Sequence, residues 1–269
     1  MQLVSFNALR SLGIEGVRYI KPELIFQHRE EVRHSRWVLF PEYWQVNALV
    51  YGLHKRIFPS VSSYHLGHDK VEMTRAFLAV CPDHVPHTRI LPATEGAIDQ
   101  VLEEFDFPFV AKEVRSAMGD GVFLVDSRAQ FLEYARRNPV LYVQEYLPIH
   151  RDLRVVYVGD RVIAAYWRIG PQGGFQNNVA RGGRIDFTGV PTAAIRLVED
   201  LAASLGVDHA GFDLAQVGKH FYLLEFNTLF GNYGLVQKHV QLGSIIQAYL
   251  QKSELPPLHP DNTLLPRAS

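Results

Sequence analysis

The stretch GFDLAQVGKHFYLLEFN, Gly211 to Asn227, decides how the rest of the chain is read. It predicts two short strands around a turn at Gly218, with Phe212, Leu214, Tyr222, Leu224 and Phe226 at one parity and Asp213, Glu225 and Asn227 at the other. One face is apolar and the other carries oxygen atoms. A hard cation such as Mg²⁺ takes such oxygens from one or two carboxylates, with substrate phosphates completing its shell. The reading carries a geometric condition. A loop of Gly218 and Lys219 alone would set Asp213 opposite Leu224 and away from Glu225, so a bulge or an odd-numbered loop is needed to bring the two acids to one face. An ordinary half-buried hairpin with its acids in water fits the same letters, and the choice falls to the rest of the chain.

Composition sets broad limits. A chain of 269 residues, 47% hydrophobic and 20% charged, has enough sequence for a core and for two or three subdomains. The net charge of -1 and a pI near 6.9 give no footprint of a polyanion-binding surface, so no nucleic-acid partner is expected. The single cysteine, Cys81, excludes an internal disulfide framework and reads as a small apolar residue at a helix end. The first residues lack a continuous apolar core with a cleavage site, and no run reaches the length of a membrane span. A cytoplasmic protein with no membrane partner is expected, and a homo-oligomer is left open.

The order of elements predicts an α/β (α+β) protein. Only a short helix is expected in the first 20 or so residues. WVLF at 37–40 reads as a strand, followed by a helical stretch from Pro41 to about His54 and strand and turn at 56–60. Asp69 with Glu72 forms a capping-box pattern opening a helix with Val71, Phe77 and Leu78 as apolar positions, and Thr94 opens another. The strands 107–114 and 121–125 follow, then a helix capped by Ser127 with Gln130, then strand 140–147. Gly159 and Asp160 join two strands between Asp152 and Trp167, and a Gly-rich loop runs from Gly170 to Gly183. A helix over 192–205 has Thr192 as cap and Gly206 as stop, and a last helix spans about Leu235 to Gln251.

Several residues stand out for chemistry. Lys112 lies in the apolar strand FVAKEV, where an ammonium either snorkels from an edge strand or meets an anion. Met118, Gly119, Asp120 and Gly121 form a turn whose glycines let a backbone approach phosphate oxygens, or simply a tight strand connection. Gln144 and Glu145 end a strand where a ribose or base edge could sit between domains. Arg154 and Arg168 bracket the Gly159 turn and suit bidentate recognition of a carboxylate or phosphoryl group, with Asp152 as a candidate partner for one of them. The pairs His65 and His68, and His84 and His87, lack the cysteine pairs or HExxH pattern of a zinc site, so no zinc is expected.

Taken in order, these segments resemble the ATP-grasp superfamily, and within it the RimK-type amino-acid ligases. The resemblance rests on DK at 69–70, VAK ending at Lys112, GDGV at 119–122, VQEYL at 143–147, DLRVVYVGDRVIAA at 152–165, Arg168, Asn178 with glycines at 182–183, and Asp213, Glu225 and Asn227. It covers roughly residues 60–250. It implies an ATP-grasp fold in which a small N-terminal α/β unit (1–68) precedes a central subdomain (69–146) and a C-terminal subdomain (147–269), the last two gripping ATP. It further implies that Lys70, Lys112, Gly119 and Gly121 meet ATP phosphates, that Gln144, Glu145, Tyr146 and Leu147 line the adenine and ribose pocket, and that Asp213, Glu225 and Asn227 hold Mg²⁺ (or Mn²⁺). Arg168, Asn178 and Arg154 would stand where the phosphoryl group passes to a carboxylate substrate before an amine substrate displaces it. Two departures from the family pattern, FQNN at 175–178 and NTLFG at 227–231, fall near the substrates. A kinase on the same fold and a non-catalytic nucleotide-binding protein are the alternatives.

Overall fold

The computed structural model describes residues 2–115, 121–170 and 183–253. Among them lie three sheets, one after another along the chain. The first is parallel, in the order β2-β1-β3-β4, from β1 (Leu3–Ser5), β2 (Val17–Tyr19), β3 (Trp37–Leu39) and β4 (Arg56–Phe58). The inner strands β1 and β3 are fully buried short runs, whereas β2 at the edge exposes Arg18 and Tyr19. Val4, Val38 and Ile57 meet Val32 of α1 (Arg29–His34), Val46 of α2 (Tyr43–Asn47) and Tyr64 of α3 (Val61–His68). The first residues thus hold two strands where only a short helix was expected. LVS and VRY are short and mixed in character, whereas β3, of the same length, lies in the unbroken apolar run WVLF.

α4 (Lys70–Val80) begins at Asp69, whose Oδ1 accepts from the N–H groups of Val71 (2.9 Å) and Glu72 (3.3 Å). Glu72 turns to Arg75 instead of closing the capping box. Lys70, Val71, Met73, Thr74 and Phe77 form the buried stripe, while Leu78, expected inside, lies one position past it and is exposed.

The second sheet is antiparallel, in the order β5-β8-β6-β7. It comprises β5 (Thr88–Pro92), β6 (Phe109–Lys112), β7 (Val122–Val125) and β8 (Val140–Glu145). α5 (Glu95–Glu104) and α6 (Arg128–Arg137) share one core with it, where Val101 and Phe131 meet Phe109, Ala111, Leu141 and Val143. The expected helix, strand, strand, helix and strand are all present, preceded by β5, which was not anticipated. The cap of α6 differs: Ser127 makes no capping bond, and Gln130 instead accepts from the Asp126 N–H at 3.0 Å.

The third sheet, in the order β11-β10-β9-β12-β13, is antiparallel throughout. Its strands are β9 (Arg151–Val158), β10 (Arg161–Ile169), β11 (Arg184–Asp186), β12 (His209–Val217) and β13 (His220–Asn227). α7 (Thr192–Leu205) and α4 cover one face, where Phe77, Val198 and Leu201 pack on Leu153, Val155, Phe212 and Leu214. On the other face, α8 (Tyr233–Gln237) and α9 (Leu242–Lys252) join β9 and β10 to Leu3, Trp37 and Phe58 of the first sheet. Fully buried Phe212 and Phe226 each contribute on the order of 2–3 kcal/mol of apolar transfer. Pro191, not Thr192, is the residue before the first turn of α7, and Gly206 ends that helix at φ +65°. The single last helix expected is two, parted by a turn in which His239 has φ +54°.

Candidate active site

The hairpin of β12 and β13 meets its geometric condition through a bulge. Val217 pairs with His220 across the loop of Gly218 and Lys219, with Gly218 at φ +61° as such a turn demands. The register holds through Leu214 opposite Leu223 and then shifts, so that Asp213 stands opposite Glu225. Leu224 is the extra residue. The bulge also corrects the expected parity beyond it: Phe221 and Leu223 enter the core with Phe226, while Tyr222 and Leu224 are only partly buried on the opposite face. Asn227 follows, its Nδ2 donating to Glu225 Oε1 at 3.4 Å.

Cations converge on these acids. Lys70, in the first turn of α4, places Nζ 3.9 Å from Glu225 Oε2. Lys112 comes from the other sheet, on β6, an interior strand between β8 and β7, which removes the edge-strand alternative. Its side chain takes the face opposite Phe109 and Ala111, at 6% exposure, with Nζ 5.5 Å from the ring centroid of Tyr142. Burial pulls the Lys112 ammonium down to about 8; Glu225 and Asp213 push it up and the neighbouring Lys70 charge pulls it down.

Cross-strand register builds a buried network of alternating charge on β10, β9 and β12. Arg154 grips Asp213 with both Nε (2.5 Å to Oδ1) and Nη2 (3.1 Å to Oδ2). Arg168 donates Nε to Asp152 at 2.6 Å and reaches Asp213 Oδ1 with Nη2 at 3.0 Å. Burial alone would lower the Arg168 guanidinium, but Asp213 and Asp152 outweigh it and hold its pKa above the ordinary value. The two arginines therefore face carboxylates of the chain itself.

The second sheet supplies the wall opposite. Tyr142 and Gln144 share the face of Val110 and Lys112, away from the core taken by Leu141 and Val143. Gln144 is buried, with Nε2 donating to Thr88 Oγ1 at 2.8 Å. Glu145 accepts from the His87 N–H at 2.7 Å, and Tyr146 and Leu147 follow as half-buried residues of the connection to β9. Tyr142, hydrogen-bonded to Thr74 of α4 at 2.5 Å, was missed, although its alternation with Leu141 and Val143 marks it as facing the site. Burial raises its phenol, which stays protonated. Gly121 is buried, its carbonyl accepting from the Glu113 N–H at 2.7 Å. Gly119 and Asn178, with Met118, Asp120 and Gln176, lie outside the described residues.

The histidine pairs sit elsewhere. His65 and His68 flank the Tyr43 ring, His84 stacks on His220, and His87 pairs with Glu104. Asp213, Glu225 and Asn227 bring three oxygen donors to the edge of two units, beside two lysines. Among the described residues, Glu225, with its side chain 26% exposed, and Asn227 have coordination capacity to spare, and Asp213 Oδ2 carries one hydrogen bond. The set fits a hard divalent cation together with a polyanion.

Comparisons with known proteins agree with this architecture. Residues 68–249 match the profile of the RimK-like ATP-grasp domain. The chain is 30% identical over 187 residues to a protein of Citrobacter koseri named probable alpha-L-glutamate ligase, covering 64% of this chain and 62% of that protein. Identity is 29% over 194 residues, 67% of this chain and 64% of the relative, to the ribosomal protein bS6–L-glutamate ligase of Salmonella newport. The match thus spans somewhat less than two thirds of these relatives. A RimK domain ATP-grasp protein of Sphaerobacter thermophilus superposes with a TM-score of 0.69 at 17% identity, covering 93% of this chain and 99% of that one. The D-alanine–D-alanine ligase of Bacillus anthracis complexed with ATP gives 0.69 at 12% identity, over 94% of this chain and 98% of that one. The fold is ATP-grasp, and the chain belongs to the RimK-like ATP-grasp family.

Proposed function

We propose that the protein is an ATP-dependent carboxylate–amine ligase that forms an amide through an acyl phosphate, adding an amino acid to a peptide, protein or small acceptor. The observation that carries the reading is the meeting of Lys70 and Lys112 with Glu225 and Asp213: buried ammonium groups and metal-suited acids from separate units converge on one place. Relatives named as glutamate ligases support the class of reaction. The working units are 1–68, 69–146 and 147–269, each with its own sheet, and α4 ties the second to the core of the third.

In this proposal Lys70 and Lys112 bind ATP phosphates together with Gly119 and Gly121, while Gln144, Glu145, Tyr146 and Leu147 enclose the adenine and ribose. Mg²⁺ (or Mn²⁺) held by Asp213, Glu225 and Asn227 supplies charge neutralisation at the phosphates. Arg168, locked by Asp152 and Asp213, and Asn178 orient the carboxylate whose oxygen attacks the γ-phosphorus as ADP leaves. The amine nitrogen then attacks the acyl carbon, phosphate departs and the ammonium proton goes to solvent. Arg154 positions Asp213. Phosphoryl transfer needs positioning and charge neutralisation more than covalent help, which suits a site built of fixed charges.

The test is ADP release in the presence of Mg²⁺, ATP and a panel of carboxylates and amino acids, with mass spectrometry of the products. ADP that forms only when a carboxylate and an amine are both present, alongside an amide, is the expected outcome. A stable phosphorylated product would instead make the protein a kinase, and nucleotide binding without ADP for every acceptor would make it non-catalytic.

A further inference from the structure

The turn that follows Asn227 is held from several directions. Thr228 O accepts from His209 Nδ1 at 2.7 Å, and because a carbonyl only accepts, Nδ1 carries the proton. Leu229 O accepts from Arg10 Nη2 at 3.1 Å, and Phe230 O from Arg10 Nη1 at 3.3 Å. Three successive carbonyls are therefore each tied to a side chain. The Thr228 hydroxyl donates to Ser63 O on α3. Gly67, one turn further along α3, lies so close that a Cβ there would collide with Thr228 Oγ1, so glycine is what lets the helix close on the turn.

Arg10 is itself prepared for this contact. It sits just beyond the carboxyl end of β1, in a turn whose shape is fixed by its own side chains. Asn7 Oδ1 accepts from the Arg10 N–H at 3.0 Å, Ser11 Oγ donates to Asn7 O at 2.7 Å, and Ser5 Oγ lies 2.5 Å from Ser11 Oγ. The carboxyl ends of parallel strands are where α/β sheets place ligands. The held turn exposes one of its three side chains: Thr228 and Phe230 are 7% and 2% exposed, whereas Leu229 is 44% exposed and only two residues from Asn227.

We propose that Arg10 is a positioning residue for the acceptor substrate: its guanidinium pins the Leu229 and Phe230 carbonyls, fixing the turn whose outward surface, Leu229, forms a wall of the acceptor site beside Asn227. This rests on the ligase reading above. The N-terminal unit then acts on the second substrate and leaves nucleotide binding to the other two units. A guanidinium is required because its fork reaches two carbonyls at once, which a lysine cannot do with the same geometry.

The test compares Arg10→Ala and Arg10→Lys with the wild type in three measurements: steady-state KM and kcat for the acceptor, the Kd of a fluorescent ATP analogue, and amide exchange of residues 228–232. A misplaced reacting group costs about a hundredfold for a shift near 1 Å, so acceptor kcat/KM is expected to fall by about tenfold to a hundredfold in Arg10→Ala. The Kd of the analogue should stay within twofold, exchange should speed up, and Arg10→Lys should fall between. Unchanged acceptor kinetics with faster exchange would make the contact merely structural and overturn the proposal, as would an equal loss of nucleotide affinity. Wild-type protein that released no ADP with any acceptor would defeat the ligase reading by itself. The exchange measurement needs no turnover, and unaltered exchange in Arg10→Ala would defeat the clamp by itself.

Discussion

Lys112→Met is expected to abolish nucleotide binding while making the free protein more stable. The ammonium is buried in the second sheet, and burial is the largest influence on it, bringing its pKa to about 8. The folded value lies below the unfolded one, so at pH 7 the folded state carries a charge it holds less readily than the unfolded chain does. That penalty is full below pH 8 and disappears as pH rises from about 8 toward the unfolded lysine value. A methionine of similar length removes it, worth on the order of 1–3 kcal/mol, with Glu225 and Asp213 losing some favourable field in return. At roughly 2–4 °C per kcal/mol, a Tm rise of several degrees follows. ATP phosphates need the charged form, so wild-type nucleotide affinity should weaken above pH 8, approaching tenfold per pH unit, as the ligand must bring a proton with it. Calorimetry from pH 7 to 9.5 checks both. Unchanged affinity in Lys112→Met, or a flat profile to pH 9.5, would place the phosphates elsewhere.

Asp213→Asn and Glu225→Gln are both expected to remove turnover, yet to differ sharply in stability. Asp213 is buried between Arg154 and Arg168, and neutralising it leaves two guanidiniums facing Asp152 alone. Breaking a buried ion pair from one side costs about 3–5 kcal/mol, which corresponds to a Tm loss near 10 °C or more. Glu225 is partly exposed, and its contact with Lys70 is long at 3.9 Å, so its neutral form should unfold within about 1 kcal/mol of the wild type. Glu225→Gln is therefore the clean probe of chemistry. ADP release at the wild-type rate in this variant would remove Glu225 from the metal set, and an Asp213→Asn protein as stable as the wild type would contradict the buried network.

What could be read from the sequence follows from how local each signal is. The hairpin at Gly218 was legible because a glycine turn and alternating residues lie within one stretch, and even the need for a bulge follows from counting residues. Its position at Leu224 does not, and so the parity of Tyr222 was misjudged. Lys112 stood out as a charge in an apolar strand, but only the order of strands shows that β6 is interior. The pairing of Arg154 with Asp213 depends on the register of β9 against β12, which are far apart in the chain. Arg10 left no local sign, because its partners lie more than 200 residues away in a turn whose carbonyls look like any others. β1 and β2 were missed because LVS and VRY hold too few apolar residues in a row to stand out, whereas β3, equally short, lies in the unbroken run WVLF, and α7, with its repeated apolar positions and its stop at Gly206, falls at 192–205 as expected.

The central claim is that a substrate carboxylate attacks the γ-phosphate in the cleft of Lys70, Lys112, Arg168 and the Asp213, Glu225 and Asn227 set. Once the ADP-release panel has identified an acceptor, its carboxylate is labelled with oxygen-18 and the released phosphate is examined by mass spectrometry. An acyl phosphate transfers a carboxylate oxygen, so the account predicts one labelled oxygen in the phosphate and one retained in the amide. Phosphate released without label, its new oxygen drawn from water, would contradict it.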